Sequence, residues 1–130
     1  MEIKLIRHRF TPWGVDGYIE INQENVCDTV EHPQFLLPSG VYEVFFRKDD
    51  RHKSRPLIKS DSKLTRKHQP CLMPGNGPFG TKDGSIVVGE HAIAGVLFHS
   101  EKYFIRLFDR LKKCNKREEE IILTIIEKQA

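Results

Sequence analysis

The chain has 130 residues and a mass of 15.1 kDa, enough to bury one core and too short for two substantial ones, so a single domain is expected. It is 38% hydrophobic and 30% charged, with eight Phe, three Tyr and one Trp, which excludes a disordered or fibrous chain. The net charge of +3 is modest but unevenly placed: nine Lys or Arg residues lie between Arg47 and His68 against Asp49, Asp50 and Asp61.

In chain order, the opening MEIKLIRHRF carries an acid at position 2 and lacks the basic flank and apolar core of a secretory signal. Residues 2 to 8 alternate, with Ile3, Leu5 and the stem of Arg7 on one face, and predict a first strand. After Thr11-Pro12-Trp13-Gly14, residues 17 to 22 and 26 to 31 read as a hairpin with the four-residue polar tip Asn22-Gln23-Glu24-Asn25, lined by Tyr18, Ile19, Ile21, Val26 and Val30. Trp13 is expected as a lid over that hairpin or as a ligand-stacking ring, and His32-Pro33 as a surface turn.

Pro33 and Pro38 exclude a regular central strand, and Ser39-Gly40 then turns the chain into a strand over 41 to 47. Residues 48 to 69 show no periodicity and predict an irregular loop with one short strand at Leu57-Ile58; loops this long tend to be functional or mobile. "LMPGNGPFGTKDGSIVVGE", residues 72 to 90, places four glycines, two prolines and an Asn-Gly pair ahead of one short apolar run, so it is expected as a sharply folded loop before a buried strand at 85 to 89. Gly75, Gly80 and Gly84 are the positions expected to need positive φ or close strand approach.

Residues 90 to 98 read as an irregular or short-strand connection. From Ser100, a candidate N-cap, Tyr103, Phe104, Leu107, Phe108 and Leu111 form one apolar helical stripe that ends near Lys112, Lys113 and Asn115. Residues 120 to 128 close the chain as a strand buried on both faces. No apolar run approaches the ~20 residues a bilayer needs, and a soluble cytoplasmic protein is expected. The fold class is mainly β (α+β): a small barrel or sandwich of six or more strands with one C-terminal amphipathic helix packed on it.

Cys27, Cys71 and Cys114 are odd in number and show no CxxC pair, so they predict reduced, half-buried thiols rather than disulfides or zinc ligands. His8, His32, His52, His68, His91 and His99 have no HxH or HxxxH spacing, and no metal is expected. The glycine-rich stretch lacks the Gly-Lys-Ser/Thr end of a P-loop, and no cofactor is expected.

"GYIEINQENVCDTVEHP" (17 to 33), "LPSGVYEV" (37 to 44), "RHKSRPLI" (51 to 58), "PGN" (74 to 76), "GSIVVGE" (84 to 90) and "GVLFHSEKYFIRLFDRL" (95 to 111) together cover most of the chain. In this order they resemble a bacterial family known as domain of unknown function family 5675. The resemblance implies a loop of the form His-x-Gly-Asn followed by Gly-Cys, distantly similar to the cysteine site of L,D-transpeptidases. Such chemistry needs a thiolate, an imidazole to form it and backbone N–H groups to hold the oxyanion. Here Ser85 stands at the cysteine position, and Met73 or Pro74 at that of the histidine.

Three readings follow. The first is a non-catalytic binding or accessory module for peptidoglycan-type or other short peptides, with Gly75, Asn76, Gly84, Ser85 and His91 as ligand-binding candidates. The second is a hydrolase or acyltransferase in which Ser85 finds a histidine through the fold. The third is a weak binder of nucleic acid or an acidic partner through Arg47, Lys48, Arg51, Lys53, Arg55, Arg66 and Lys67.

Overall fold

The computed structural model describes residues 1–46, 55–60 and 69–128. Nine strands and one helix follow in the order β1 (Glu2–Thr11), β2 (Gly14–Ile21), β3 (Glu24–Glu31), β4 (Gly40–Phe45), β5 (Leu57–Lys59), β6 (Leu72–Pro74), β7 (Ile86–Ile93), β8 (Val96–Phe98), α1 (Ser100–Lys116) and β9 (Ile122–Glu127). The sheet runs β5-β4-β9-β1-β2-β3-β7-β6, with β8 paired to β7. Its two ends meet: Leu57 bridges Cys71, the Ile58 N–H donates to the Pro70 carbonyl and the Leu72 N–H to that of Pro56. The fold is therefore a mainly β, nearly closed barrel with one helix, as the residue patterns predict.

β1, β2 and β3 form an antiparallel meander joined by two tight turns. Pro12 and Trp13 make the first, where the Trp13 N–H donates to Thr11 Oγ1. Asn22 and Gln23 make the second, both left-handed at φ 54° and 67°, the geometry whose twist matches a two-residue hairpin. The hairpin tip is thus two residues rather than four, and β2 begins three residues earlier than the sequence predicts, because the Pro12–Trp13 turn already directs the chain back along β1.

Alternation along the strands separates two apolar layers. Ile3, Leu5, Ile19, Ile21, Leu72, Ile86, Val88, Leu123 and Ile125 fill the interior, which Leu107, Leu111 and Cys114 of α1 complete. Val30, Val87 and Leu97 form a smaller cluster on the other face, with Met73 against it. The interior also holds Arg7, 1% exposed, whose Nε and Nη2 donate to the two Glu31 carboxylate oxygens at 3.0 and 2.7 Å, while Nη2 also donates to the Leu37 carbonyl. Burial pushes the Glu31 carboxyl above its ordinary value, and the Arg7 guanidinium opposes that shift.

Several expectations are corrected. Of the two readings of residues 90 to 98, the short-strand one holds and the irregular one does not: β7 runs on to Ile93, turns at Ala94-Gly95 and returns as the three-residue β8, because Asp28 and Asp16 accept from the His91 and Gly95 N–H groups. The start of the glycine-rich stretch is β6, which pairs parallel to β7 and tolerates Pro74 at its last position. Ser100 is not the helix cap. His99 takes that place in the left-handed region at φ 53° with no side-chain cap, and the Ser100 hydroxyl instead donates to the Val88 carbonyl and accepts from the Gly75 N–H.

β9 is fully buried on one face only, since Ile126 is 42% exposed. The three cysteines are free and buried rather than half-buried, and burial holds the Cys27 thiol up at about 12. His32-Pro33 does open a turn, closed by the Phe35 N–H donating to the His32 carbonyl at 3.2 Å, but the His32 ring is buried rather than on the surface, packed edge-on against Phe35 and Phe79. Among the described residues no helix is long and apolar enough to cross a membrane.

Candidate functional site

Three connections converge where β1 meets β2: turn 12–13, loop 75–85 and turn 94–95. Asp16, with no exposed surface, anchors them: its Oδ1 accepts the Gly95 N–H at 3.0 Å and its Oδ2 accepts Arg9 Nε at 2.6 Å. A Cβ on Gly95, at φ +76°, would lie 2.3 Å from the Trp13 carbonyl oxygen, so only glycine lets the β7–β8 hairpin rest on the first turn. The Leu97 N–H then donates to the Asn76 carbonyl at 2.9 Å and fixes the glycine-rich loop beside them.

Between these connections lies an open groove of about 630 Å³, a size that suits a small ligand or a few side chains. Trp13, Phe79 and Ile93 are 66%, 56% and 68% exposed on it, and Asn76, Pro78 and Val96 also line it. Trp13 is therefore not a core lid; its backbone is pinned and its ring is left on the surface. None of the lining residues is ionisable, so a charged group entering the groove would lose water without gaining a partner.

Behind the groove sits a polar cluster. His91 Nε2 lies 2.8 Å from the Thr29 carbonyl, which only accepts, so Nε2 carries the proton. The same nitrogen is 3.7 Å from Asp16 Oδ1, and Nδ1 is 3.8 Å from Asp28 Oδ2. The His8 ring lies 5.9 Å from that of His91; burial first, then the His91 and Arg9 charges, hold His8 below its ordinary value. These bonds spend His91 on holding β7 against β3, and among the described residues no group of three or more His, Cys, Asp or Glu is arranged to hold a metal.

Ser85 is 2% exposed; its hydroxyl accepts the Cys71 N–H at 3.0 Å and lies 3.7 Å from Cys71 Sγ. No described histidine is hydrogen-bonded to it, and His52 and His68 lie outside the described residues. Burial raises the Cys71 thiol, with the Ser85 hydroxyl and Arg55 pulling the other way, so the thiol stays protonated near neutral pH. Along the parallel β6–β7 pair, Pro74 stands opposite Val88 and Met73 opposite Val87. Pro74 is therefore three residues from the level of Ser85, about 10 Å along the strand.

The other candidates scatter. Gly75 donates to Ser100, and a Cβ there would press Val87 Cγ1 at 3.1 Å; Gly84, at φ +86°, packs on Leu37; Gly80 has open space around it and no positive φ. Asn76 alone of the five ligand-binding candidates lines the groove. Arg47, Lys48, Arg51, Lys53, Arg66 and Lys67 lie outside the described residues, and Arg55 is exposed beside β5.

No family model, curated protein or solved structure matches the chain. Sequence reasoning missed Phe79 and Ile93, whose neighbours in sequence are turn residues. Their only signal was the clustering of Trp, Phe and Ile in segments that also hold Gly and Pro.

Proposed function

We propose that the chain is a non-catalytic, cytoplasmic member of the bacterial family its motifs resemble, and that it takes a short peptide in the groove of Trp13, Phe79 and Ile93. The observation that carries this reading is an uncharged groove with three large apolar side chains left exposed on it, since contiguous exposed apolar surface marks binding sites. A peptide backbone suits the polar lining, which is the Asn76 amide and main-chain groups, and apolar side chains such as those of alanyl segments suit the rest. A cytoplasmic setting accords with three free, buried cysteines. The acyl-transfer alternative draws no support from a Ser85 hydroxyl that is buried and already bonded to Cys71.

Trp13 is the chain's single tryptophan, so its emission reports the groove directly. Titration with a peptidoglycan stem peptide and with an uncharged alanyl tetrapeptide is expected to give a saturable blue shift with at least one of them. Absence of any shift with both, at millimolar ligand, sinks the reading. An activated ester that leaves a covalent adduct on Ser85 would revive the acyl-transfer alternative.

A further inference from the structure

Helix α1 carries a second surface that the peptide groove does not use. From Ser100 through Arg117 the chain has seven Lys or Arg residues against Glu101 and Asp109. Lys102, Arg106, Arg110 and Lys113 follow one another at four, four and three residues, so they form one row on a single face. Each four-residue step rises about 6 Å, close to the spacing of successive phosphates along an extended strand. Among the described residues none of these four cations is ion-paired, whereas Arg117 is held by Glu119 at 2.9 Å.

The row borders a recess of about 560 Å³ between α1 and the start of β3, lined among others by Asn25, Tyr103, Arg106, Arg110 and Lys113. Tyr103 is half-buried, which fixes its ring, and Lys102 Nζ and Arg106 Cζ lie 5.8 and 5.9 Å from the ring centre. Two carboxylates, Glu24 and Asp109, also line the recess. They would repel an acidic side chain but can accept from the exocyclic amino group of a base. The combination of a cationic row, a fixed aromatic ring and carboxylate acceptors inside the recess separates a nucleobase ligand from an acidic peptide.

We propose that this face binds single-stranded nucleic acid, with phosphates along Lys102, Arg106, Arg110 and Lys113 and a base lodged against Tyr103. The inference is independent of the peptide groove, which lies at the other end of β2.

The test is fluorescence anisotropy of the whole chain with a labelled oligouridylate and an oligocytidylate of about 10 nucleotides. With four phosphates engaged, affinity is expected to fall about fifty-fold between about 50 and about 200 mM salt. Arg106→Gln, Arg110→Gln and Lys113→Gln together are expected to weaken binding at least tenfold and flatten that salt dependence, with the circular dichroism spectrum unchanged. Tyr103→Leu, which keeps apolar bulk in the half-buried position, is expected to weaken single-strand binding about fivefold or more while leaving weak duplex binding unaltered. The proposal is overturned by no binding at low salt, or by a triple variant that binds like wild type, which would move the contact to residues 47 to 68. It is equally overturned if polyglutamate competes as well as the oligonucleotide and Tyr103→Leu changes nothing, since that pattern belongs to an acidic protein partner.

Discussion

The two ends of β2 differ in what builds them. At the Gly14 end three connections are locked by main-chain contacts, Gly95 against the Trp13 carbonyl and Leu97 against the Asn76 carbonyl, and the surface they leave is apolar. At the Ile21 end the start of β3, just past a two-residue turn, faces one helix, and the surface is a row of side-chain charges over an aromatic ring. The first end is set by backbone fit, so it should tolerate little substitution beneath its surface and respond weakly to salt. The second is set by side chains on a helix that is anchored elsewhere, so its charges can be exchanged freely while its binding depends steeply on salt.

The sharpest way to break that contrast is Gly95→Ala, which forces a Cβ into backbone at a positive φ; a loss of about 3 kcal/mol or more is expected in urea unfolding. Gly80→Ala, in the same loop system but with open space around it, is the matched control and should stay within about 0.5 kcal/mol. Equal losses at the two sites would deny that the groove end is held by close backbone approach.

Next in size is Ser85→Cys. With the replaced hydroxyl 3.7 Å from Cys71 Sγ, mild oxidation should close a disulfide across the β6–β7 pair, read as the loss of two titratable thiols. A closed loop of about 15 residues would add up to about 3 kcal/mol. A fast-reacting free thiol in the variant would instead favour a dormant nucleophile site.

Trp13→Ala should cost about 2 kcal/mol of peptide affinity in calorimetry yet barely move the melting temperature, because the ring is 66% exposed; oligonucleotide binding should not change. Asp109→Asn is the mirror experiment: the amide keeps an acceptor oxygen for a base but removes a charge that repels phosphates, so it is expected to raise oligonucleotide affinity a few-fold by anisotropy and leave peptide binding alone. An effect of either change at the opposite end would dissolve the separation.

The smallest effect concerns His8 behind the groove. Its value in the folded chain lies below the ordinary 6.5, so between the two values the unfolded chain binds more protons. Its contribution is present above pH 6.5 and is lost as pH falls through the folded value, so melting temperatures measured downward from pH 7.5 should decline less steeply in His8→Gln.

Much of the architecture was legible in the residues. The alternation of Ile3, Leu5 and Arg7 gave β1, the apolar stripe around Leu107 and Leu111 gave α1, and even the three-residue β5 at Leu57 was readable. What escaped was set by tertiary partners. The strand character of residues 90 to 93 depends on Asp16 and Asp28, distant in sequence, and Ser100 looked like a cap because its alternative partners, Gly75 and Val88, are a strand pair away. The groove was half visible: the glycine-rich loop stands out by its composition, but the residues leave Trp13 open between a lid over the hairpin and a ligand-stacking ring, and only the folded turn shows its ring exposed. The row on α1 was present as plain spacing, masked by the apolar stripe that shares the helix.

β9 lies between β4 and β1, parallel to the latter, so the final strand in chain order is inserted into the middle of the sheet. During synthesis the meander of β1, β2 and β3 must therefore wait with one long edge unpaired until residues 122 to 127 have left the ribosome. That edge, carrying Ile3 and Leu5 toward an unfinished interior, is the stretch a chaperone would have reason to hold, and the pairing that ends the wait spans nearly the whole chain and should set a slow folding step.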